Sequence, residues 1–206
     1  MSKGTRTPLG MAQTLAKKLR EGLLKSSPEV MIVGSVRREK ATVGDIEMVI
    51  LAEETALSDL FGQAVAHTST SVDLALDMGT EDPSFEWIIR KNDHGSKTKR
   101  LIHRRTNIVC DLYVVTDRRA WGTFVAVRTG PHPFSKTMME KAHDLGMCFA
   151  SGFLLHNHPK ERSKSGCRLG ASCPNIIPLY NESDVFENLK IPYMTPPERE
   201  AKYGIG

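Results

Sequence analysis

The sequence predicts an α+β fold in two parts: a mixed α/β part over residues 1–117 and a smaller, mostly helical part over residues 118–206. Three observations predict it. Residues 9–25, LGMAQTLAKKLREGLLK, space their apolar side chains at helical intervals. Three short runs, VMIVGS, DIEMVIL and NIVCDLYVV, are rich in aliphatic and β-branched residues, as strands are. After Thr116 such runs cease, and two helical stretches follow, each closed by a glycine, Gly130 and Gly146.

The elements follow in order. Pro8 suits the start of the first helix, and Leu9, Ala12, Leu15, Ala16, Leu19 and Leu23 form its apolar stripe. Pro28 in SSPE stops it, because proline cannot continue a helix. VMIVGS reads as a strand entering a Gly34-Ser35 turn, and DIEMVIL as the next strand. ETALSDLFGQAVAHTS reads as a helix and SVDLALD as a short strand. The stretch from Phe85 to Val115 reads as a strand, a turn at Asp93-His94-Gly95, a second strand, and a third over 108–115. In the second part, DRRAWGTFVAVRTG and PFSKTMMEKAHDLGM read as helices. A polar loop runs from about His156 to Pro174. NESDVFENLKI reads as a short helix capped by Asn181 or Ser183, and PPEREAKYGIG as a tail.

Composition narrows the class. The chain has 206 residues, 40% hydrophobic and 25% charged, which is ordinary for a globular protein with a real core. No run approaches the ~20 apolar residues of a membrane span, and MSKGTRTPLG lacks the apolar core of a signal peptide. Four cysteines, Cys110, Cys148, Cys167 and Cys173, are too few for a disulfide scaffold, so a reduced, cytoplasmic protein is expected, with no membrane association. Net charge is only +4, but the bases cluster: KTKRLIHRR, residues 97–105, holds five Lys or Arg in nine positions. Such a patch reads either as a site for a polyanion or as a solvated hairpin arm.

The acids carry the chemistry. Three acid-x-acid pairs occur, Asp45/Glu47, Glu182/Asp184 and Glu198/Glu200, about what chance places with 24 acids in 206 residues. Only Asp45/Glu47 lies in a strand-like run. Strand side chains alternate, so Asp45 and Glu47 share one face while Ile46, Met48 and Ile50 take the other, with the two acids' Cα atoms roughly 6.5–7 Å apart. Asp111 lies in the most apolar strand, with no Lys or Arg from Thr106 to Asp117. Alone, Asp111 reads equally as a salt-bridged core acid or as a ligand. Three strand acids together can hold two Mg²⁺ ions about 3.5–4 Å apart, an arrangement that supports phosphoryl transfer. Before them, Gly34 lets backbone amides converge, Ser35 adds a hydroxyl, and Arg37 and Arg38 add guanidiniums: the parts of a triphosphate cradle. Gly44 would let a ligand approach closely.

GSVRRE…GDIEMVI resembles the nucleotidyltransferase signature of the X-family DNA polymerases, the group containing DNA polymerase beta. GSKTKRLI…VCDLYVV is similar to that family's strand pair bearing the third carboxylate. AWGTFVAVRTGPHPFSKTMMEKAHDLGM is similar to its nascent-base-pair segment, and ESDVFENLKIPYMTPPERE to its C-terminal element. The resemblance covers most of residues 6–200 in the family's order.

It implies a nucleotidyltransferase palm over 1–117 and a thumb-like, nascent-base-pair subdomain over 118–206. It implies a DNA polymerase that extends a primer 3′-hydroxyl on primer/template or gapped DNA, with dNTP as substrate and short gap-filling repair as its role. Asp45, Glu47 and Asp111 would be both catalytic and metal-binding, holding two Mg²⁺, with Mn²⁺ able to substitute, and Asp111 would also activate the attacking hydroxyl. Gly34, Ser35, Arg38 and Gly44 would contact the triphosphate, with Arg6 as a further contact, and Thr129 and Gly130 would lie against the nucleotide's sugar and base. Lys97, Lys99, Arg100, Arg104 and Arg105 would hold the DNA backbone through sequence-independent, salt-sensitive contacts.

Departures from the family are specific. Glu47 stands where Asp is usual. Val127-Arg128 replace a Tyr-Phe pair that faces the sugar, which opens the site to NTP. Ser135 replaces an Asn. With only a short tail before residue 6, the family's lyase domain and helix-hairpin-helix clamps are expected to be absent, leaving a minimal, monomeric polymerase of low processivity. Two other readings remain: the same chemistry on another acceptor, as in a template-independent terminal transferase or an enzyme acting on RNA, a protein or a small molecule, and a nucleic-acid-binding module with a dead site.

The loop HNHPKERSKSGCRLGASC offers four possible zinc ligands, His156, His158, Cys167 and Cys173. The Cys pair is more widely spaced than in most zinc sites. The default reading is a basic loop touching DNA through Lys160, Arg162, Lys164 and Arg168.

Overall fold

The structure is a computed structural model and describes residues 6–55, 69–81, 84–89, 97–150, 153–157, 167 and 169–204. The chain divides into two compact units. The first comprises 1–32 and 41–116, the second 33–40 and 117–206.

In the first unit, β1 (Thr7–Pro8) pairs antiparallel with β3 (Thr42–Val43), and α1 (Leu9–Leu23) follows β1 directly. Ala12, Ala16, Leu19 and Leu23 are the buried stripe of α1, at the predicted helical interval. The main sheet takes β2 (Glu29–Val33), β4 (Asp45–Leu51), β9 (Val109–Val115), β8 (Thr98–His103) and β7 (Trp87–Ile89), in that order. β4 and β9 run parallel; β8 is antiparallel to both β9 and β7. Parallel neighbours need a crossover, so β4 and β9 are distant in sequence. Ile46, Met48 and Ile50 of β4 are fully buried, with Leu101 and Leu112 of β8 and β9. Alternation holds over Asp45–Met48 as the sequence implies; beyond it Val49, on the side of Asp45 and Glu47, is fully buried as well.

Two of the expected elements differ here. SVDLALD is not a strand. It opens α3 (Ser71–Glu81). Val72 and Leu76 are buried while Leu74 is 46% exposed, which is a helical and not an alternating pattern. Thr70 and Asp73 form a capping box: the Thr70 N–H and hydroxyl donate to Asp73 Oδ2 at 2.9 and 2.7 Å, and the Asp73 N–H donates to Thr70 Oγ1 at 3.3 Å. Of the expected helix 54–69, residues 56–68 lie outside the described residues, and its ends pair as short strands, β5 (Glu54–Thr55) with β6 (Ser69–Thr70). The turn at 93–95 also lies outside the described residues.

The second unit holds α2 (Gly34–Arg37), α4 (Trp121–Thr129), α5 (His132–Asp144), α6 (Glu182–Asn188) and α7 (Pro196–Tyr203). It also holds a three-stranded antiparallel sheet, β10 (Met147–Ala150), β11 (Leu154–Asn157) and β12 (Ile176–Ile177), which the sequence did not announce. Its core gathers Ala126, Phe134, Met138, Leu155, Leu179 and Phe186. α6 begins at Asn181 with a capping box to Asp184. The expected tail is α7. Thr195 caps it, its hydroxyl accepting the Glu198 N–H at 3.4 Å while the Thr195 N–H donates to Glu198 Oε2 at 2.7 Å, and prolines occupy its first turn, where a missing N–H costs nothing.

Among the described residues, no helix is long and apolar enough to cross a membrane. All four cysteines are free thiols.

Candidate active site

In the first unit, parallel register sets the carboxylates. Glu47 on β4 is the Cα partner of Asp111 on β9, and Asp45 stands two residues before Glu47. Neighbouring strands lie about 4.8 Å apart, so Glu47 and Asp111 are side by side on one face, with Asp45 one pleat away. Asp45 and Glu47 are half-buried; Asp111 is 7% exposed. β8 supplies a cation: Arg100 is the antiparallel partner of Asp111, and its Nε and Nη2 donate to Asp111 Oδ1 and Oδ2 at 2.7 and 2.9 Å. The Tyr113 hydroxyl donates to Glu47 Oε1 at 3.1 Å. Cys110 sits fully buried behind this face. Burial pushes its thiol well up, and the negative charges of Asp111, Asp45 and Glu47 push it further, so it stays neutral. A face bearing three carboxylates, one of them Glu, is hard oxygen-donor chemistry and fits Mg²⁺ or Mn²⁺.

One residue of this face, Tyr113, was not singled out from sequence, and another, Arg100, was given a different partner. Tyr113 follows Asp111 by two on the same strand, and that spacing alone places it on the carboxylate face. Arg100 was read as a DNA contact; only the β8–β9 register reveals its pairing. Gly44 is exposed, and a Cβ there would meet nothing within 4 Å. Arg6 is exposed.

The expected row of DNA-facing cations splits. Lys99 points inward, 3% exposed, with its ammonium 2.5 Å from Asp73. It is a core ion pair and not a surface contact, because alternation along β8 turns Lys99 away from the face that carries Arg100. Lys97 and Arg104 are exposed, and Arg105 reaches Glu86 at 3.5 Å with its side chain 81% exposed.

In the second unit, Gly34 opens α2 with φ +65°, a conformation glycine adopts without steric cost. Ser35 is half-buried. Arg38 is engaged within this unit: its Nε donates to Glu200 Oε2 at 2.6 Å, and its Nη1 donates to the Thr129 carbonyl. Thr129 is fully buried, and its hydroxyl accepts from Arg37 Nη1 at 2.6 Å. Gly130 has φ +62°, and a Cβ there would meet Arg38 Nη1 at 3.3 Å, so side chains are disfavoured on both counts. Arg37 also forks onto Glu182, donating to its two oxygens at 3.1 and 2.7 Å, and Arg199 donates to Glu182 Oε1 at 2.8 Å. The Arg199 guanidinium lies 4.9 Å from the ring centroids of both Phe134 and Phe186. Sequence reading placed Arg199 and Glu200 in a tail. The Thr-x-x-Glu signature at Thr195 was the signal that could have moved them into a helix. Ser135 donates to the Val127 carbonyl at 2.9 Å, and the Arg128 guanidinium lies 5.7 Å from the Phe153 ring.

No family model matches the chain. In three dimensions it is similar to polymerase beta of Leishmania infantum in two crystal structures. For the ternary P/T complex, the TM-score is 0.72 at 18% identity, covering 96% of this chain and 77% of that one. For the ternary gap complex, it is 0.71 at 16% identity, covering 95% and 71%. The fold is therefore the polymerase beta-like nucleotidyltransferase fold, mixed α+β, with the carboxylates on its central parallel strand pair.

Proposed function

We propose that the protein is a DNA-directed DNA polymerase that adds nucleotides to a primer 3′-hydroxyl, on primer/template or gapped DNA, and that short gap-filling in DNA repair is its role. The observation that carries this reading is the pairing of Glu47 with Asp111 across parallel strands, with Asp45 on the same face, in a fold of this kind. Asp45, Glu47 and Asp111 would hold two Mg²⁺ ions, or Mn²⁺ in their place. When bound, the ions supply charge stabilisation at the phosphate and lower the pKa of the attacking oxygen.

The chain's own groups then have definite tasks. Asp111 would accept the proton of the primer hydroxyl. Both its oxygens are held by Arg100, so that pair has to open first. The Arg100 side chain is 43% exposed, so water can take up its guanidinium, whereas the Asp111 side chain is 10% exposed and needs another cation in its place, which the bound metal would supply. The Tyr113 hydroxyl steadies the longer arm of Glu47. Gly34, Ser35 and Arg38 would receive the triphosphate, Arg38 by leaving Glu200 for a phosphate oxygen; Gly44 would pack beside it. Thr129 and Gly130 would set the nucleotide's sugar and base. With Val127-Arg128 at the sugar position, dNTP is the substrate and NTP is admitted. The enzyme would act as a monomer inside the cell.

The test is extension of a labelled primer in three forms: annealed to a template, bounded by a one-nucleotide gap, and single-stranded. Each is tried with Mg²⁺ or Mn²⁺ and each dNTP singly, beside Asp111→Ala. Extension by the complementary nucleotide only, lost in Asp111→Ala, is expected. Extension of the single strand by any nucleotide would make the protein a terminal transferase. No extension in any form would refute the polymerase reading.

A further inference from the structure

The second unit gathers a set of soft donors that the proposed chemistry does not use. His156 on β11, Cys167 and Cys173 bring one ligand atom each to within 4.8 Å of one another. His156 is fully buried and Cys173 is 4% exposed. They come from a strand, a loop and the residue that ends the 3-10 turn Gly170–Ser172, so nothing local in the sequence forces them together.

A fourth donor stands beside them. Cys148 on β10 is the antiparallel Cα partner of His156. Residues directly opposite in an antiparallel pair project from the same face, with Cβ atoms about 5 Å apart. Cys148 is also near enough to Cys173 to act on it electrostatically: burial pushes the Cys173 thiol up, and the neighbouring thiols of Cys167 and Cys148 push it the same way. The Asn175 N–H donates to Cys173 Sγ at 3.4 Å, a bond that favours the thiolate over the thiol.

We propose that Cys148, His156, Cys167 and Cys173 form a structural zinc site of Cys₃His type. Three thiolates and an imidazole are the donor set zinc takes in closed, four-coordinate sites. Ligand atoms around a tetrahedral zinc lie roughly 3.8 Å apart, given Zn–S bonds of about 2.3 Å. The ligand atoms of His156, Cys167 and Cys173 therefore need a contraction of only about 1 Å, and Cys148 closes the site by moving in from its place opposite His156. Binding converts the three thiols to thiolates and releases their protons to solvent. Strands of two to four residues, as in β10–β12, are marginal on their own, and a metal tie across β10, β11 and the Cys173 turn supplies what their length does not. The assignment drops His158, which lies outside the described residues, and adds Cys148, which sequence spacing gave no reason to include.

The test uses the full chain, purified under reduction without added chelator. Elemental analysis is expected to find one zinc per chain. After removal, Co²⁺ is expected to bind with sub-micromolar Kd, to show thiolate charge-transfer and tetrahedral d–d bands, and to be displaced by Zn²⁺. Cys148→Ser is expected to lower the charge-transfer intensity by about one third, as one of three thiolates is lost, while His158→Ala leaves the spectrum unchanged. Chelation of the wild type is expected to lower the thermal midpoint, a readout that needs no variant. The proposal is overturned by octahedral Co²⁺ spectra, by a Cys167–Cys173 disulfide in the reduced preparation, or by loss of the spectrum in His158→Ala with Cys148→Ser unaffected. Primer extension plays no part in these outcomes, so they stand or fall apart from the polymerase reading.

Discussion

In the first unit the buried Asp111 meets a guanidinium whose side chain is 43% exposed, and Asp45 and Glu47 stay half-buried on the same face. In the second unit Glu182, its side chain 8% exposed, holds two guanidiniums, one of them the fully buried Arg199 between two phenylalanine rings. The contrast is physical. Removing one member of a buried network strands the others without compensation, at about 3–5 kcal/mol. On the carboxylate face the cation is the half-exposed partner, so a neutral substitution at Asp111 leaves only an Arg100 that water solvates, at about 0–1 kcal/mol. Charge in the second unit is locked among buried partners; on the carboxylate face of the first the cation paired with Asp111 is one that water can take up.

The sharpest way to break this comparison is at Glu47. Glu47→Gln keeps a carbonyl for the Tyr113 hydroxyl but loses the charge, so extension is expected to fall by roughly 10²–10³-fold while stability moves by about 0.5 kcal/mol or less. Single-turnover extension and urea unfolding check the two halves. Glu182→Gln should do the reverse to stability, lowering it by about 3–5 kcal/mol in urea unfolding. Gly122→Ala tests the same unit without charge. A Cβ there would stand 2.1 Å from the Asn181 carbonyl oxygen, a backbone atom, so a loss of about 3 kcal/mol is expected by calorimetry. Thr195→Ala, which removes the cap of α7, should cost about 1 kcal/mol in the same measurement.

The smallest effect is in acid. Burial works to raise the Asp73 carboxyl, but bonds from Lys99 and Thr70 outweigh it and hold it below its ordinary value. Glu200 is likewise held low, its burial outweighed by Arg38 and Lys40. A carboxyl lowered in the folded state adds stability above its unfolded pKa and loses it as pH falls through the folded one. Stability should therefore decline from about pH 4 downward, and less steeply in Asp73→Asn. A stability curve rising toward acid would contradict the assignment.

What the sequence could and could not reveal follows the same physics. The β4 alternation placed Asp45 and Glu47 on one face, because a strand's period is local. Their nearness to Asp111 was not local: it depends on a parallel pairing between distant strands. SVDLALD misled because Val72, Leu74 and Leu76 alternate; the capping box at Thr70 was the contrary signal, and Leu74 turned out exposed. α7 hid behind two prolines and a run of charge, and a buried arginine is invisible to any argument from polarity. The strands of the small sheet are too short to show a period at all. The excursion of 33–40 into the second unit left no mark in composition.

The most direct measurement takes Asp111→Asn on a single preparation and reads both its thermal midpoint and its Mg²⁺-dependent primer extension. The account predicts a midpoint within about 2–4 °C of the wild type, as for a change under 1 kcal/mol, with extension lost. A midpoint that collapses would make Asp111 a structural acid paired with Arg100, and extension that persists would remove it from the chemistry.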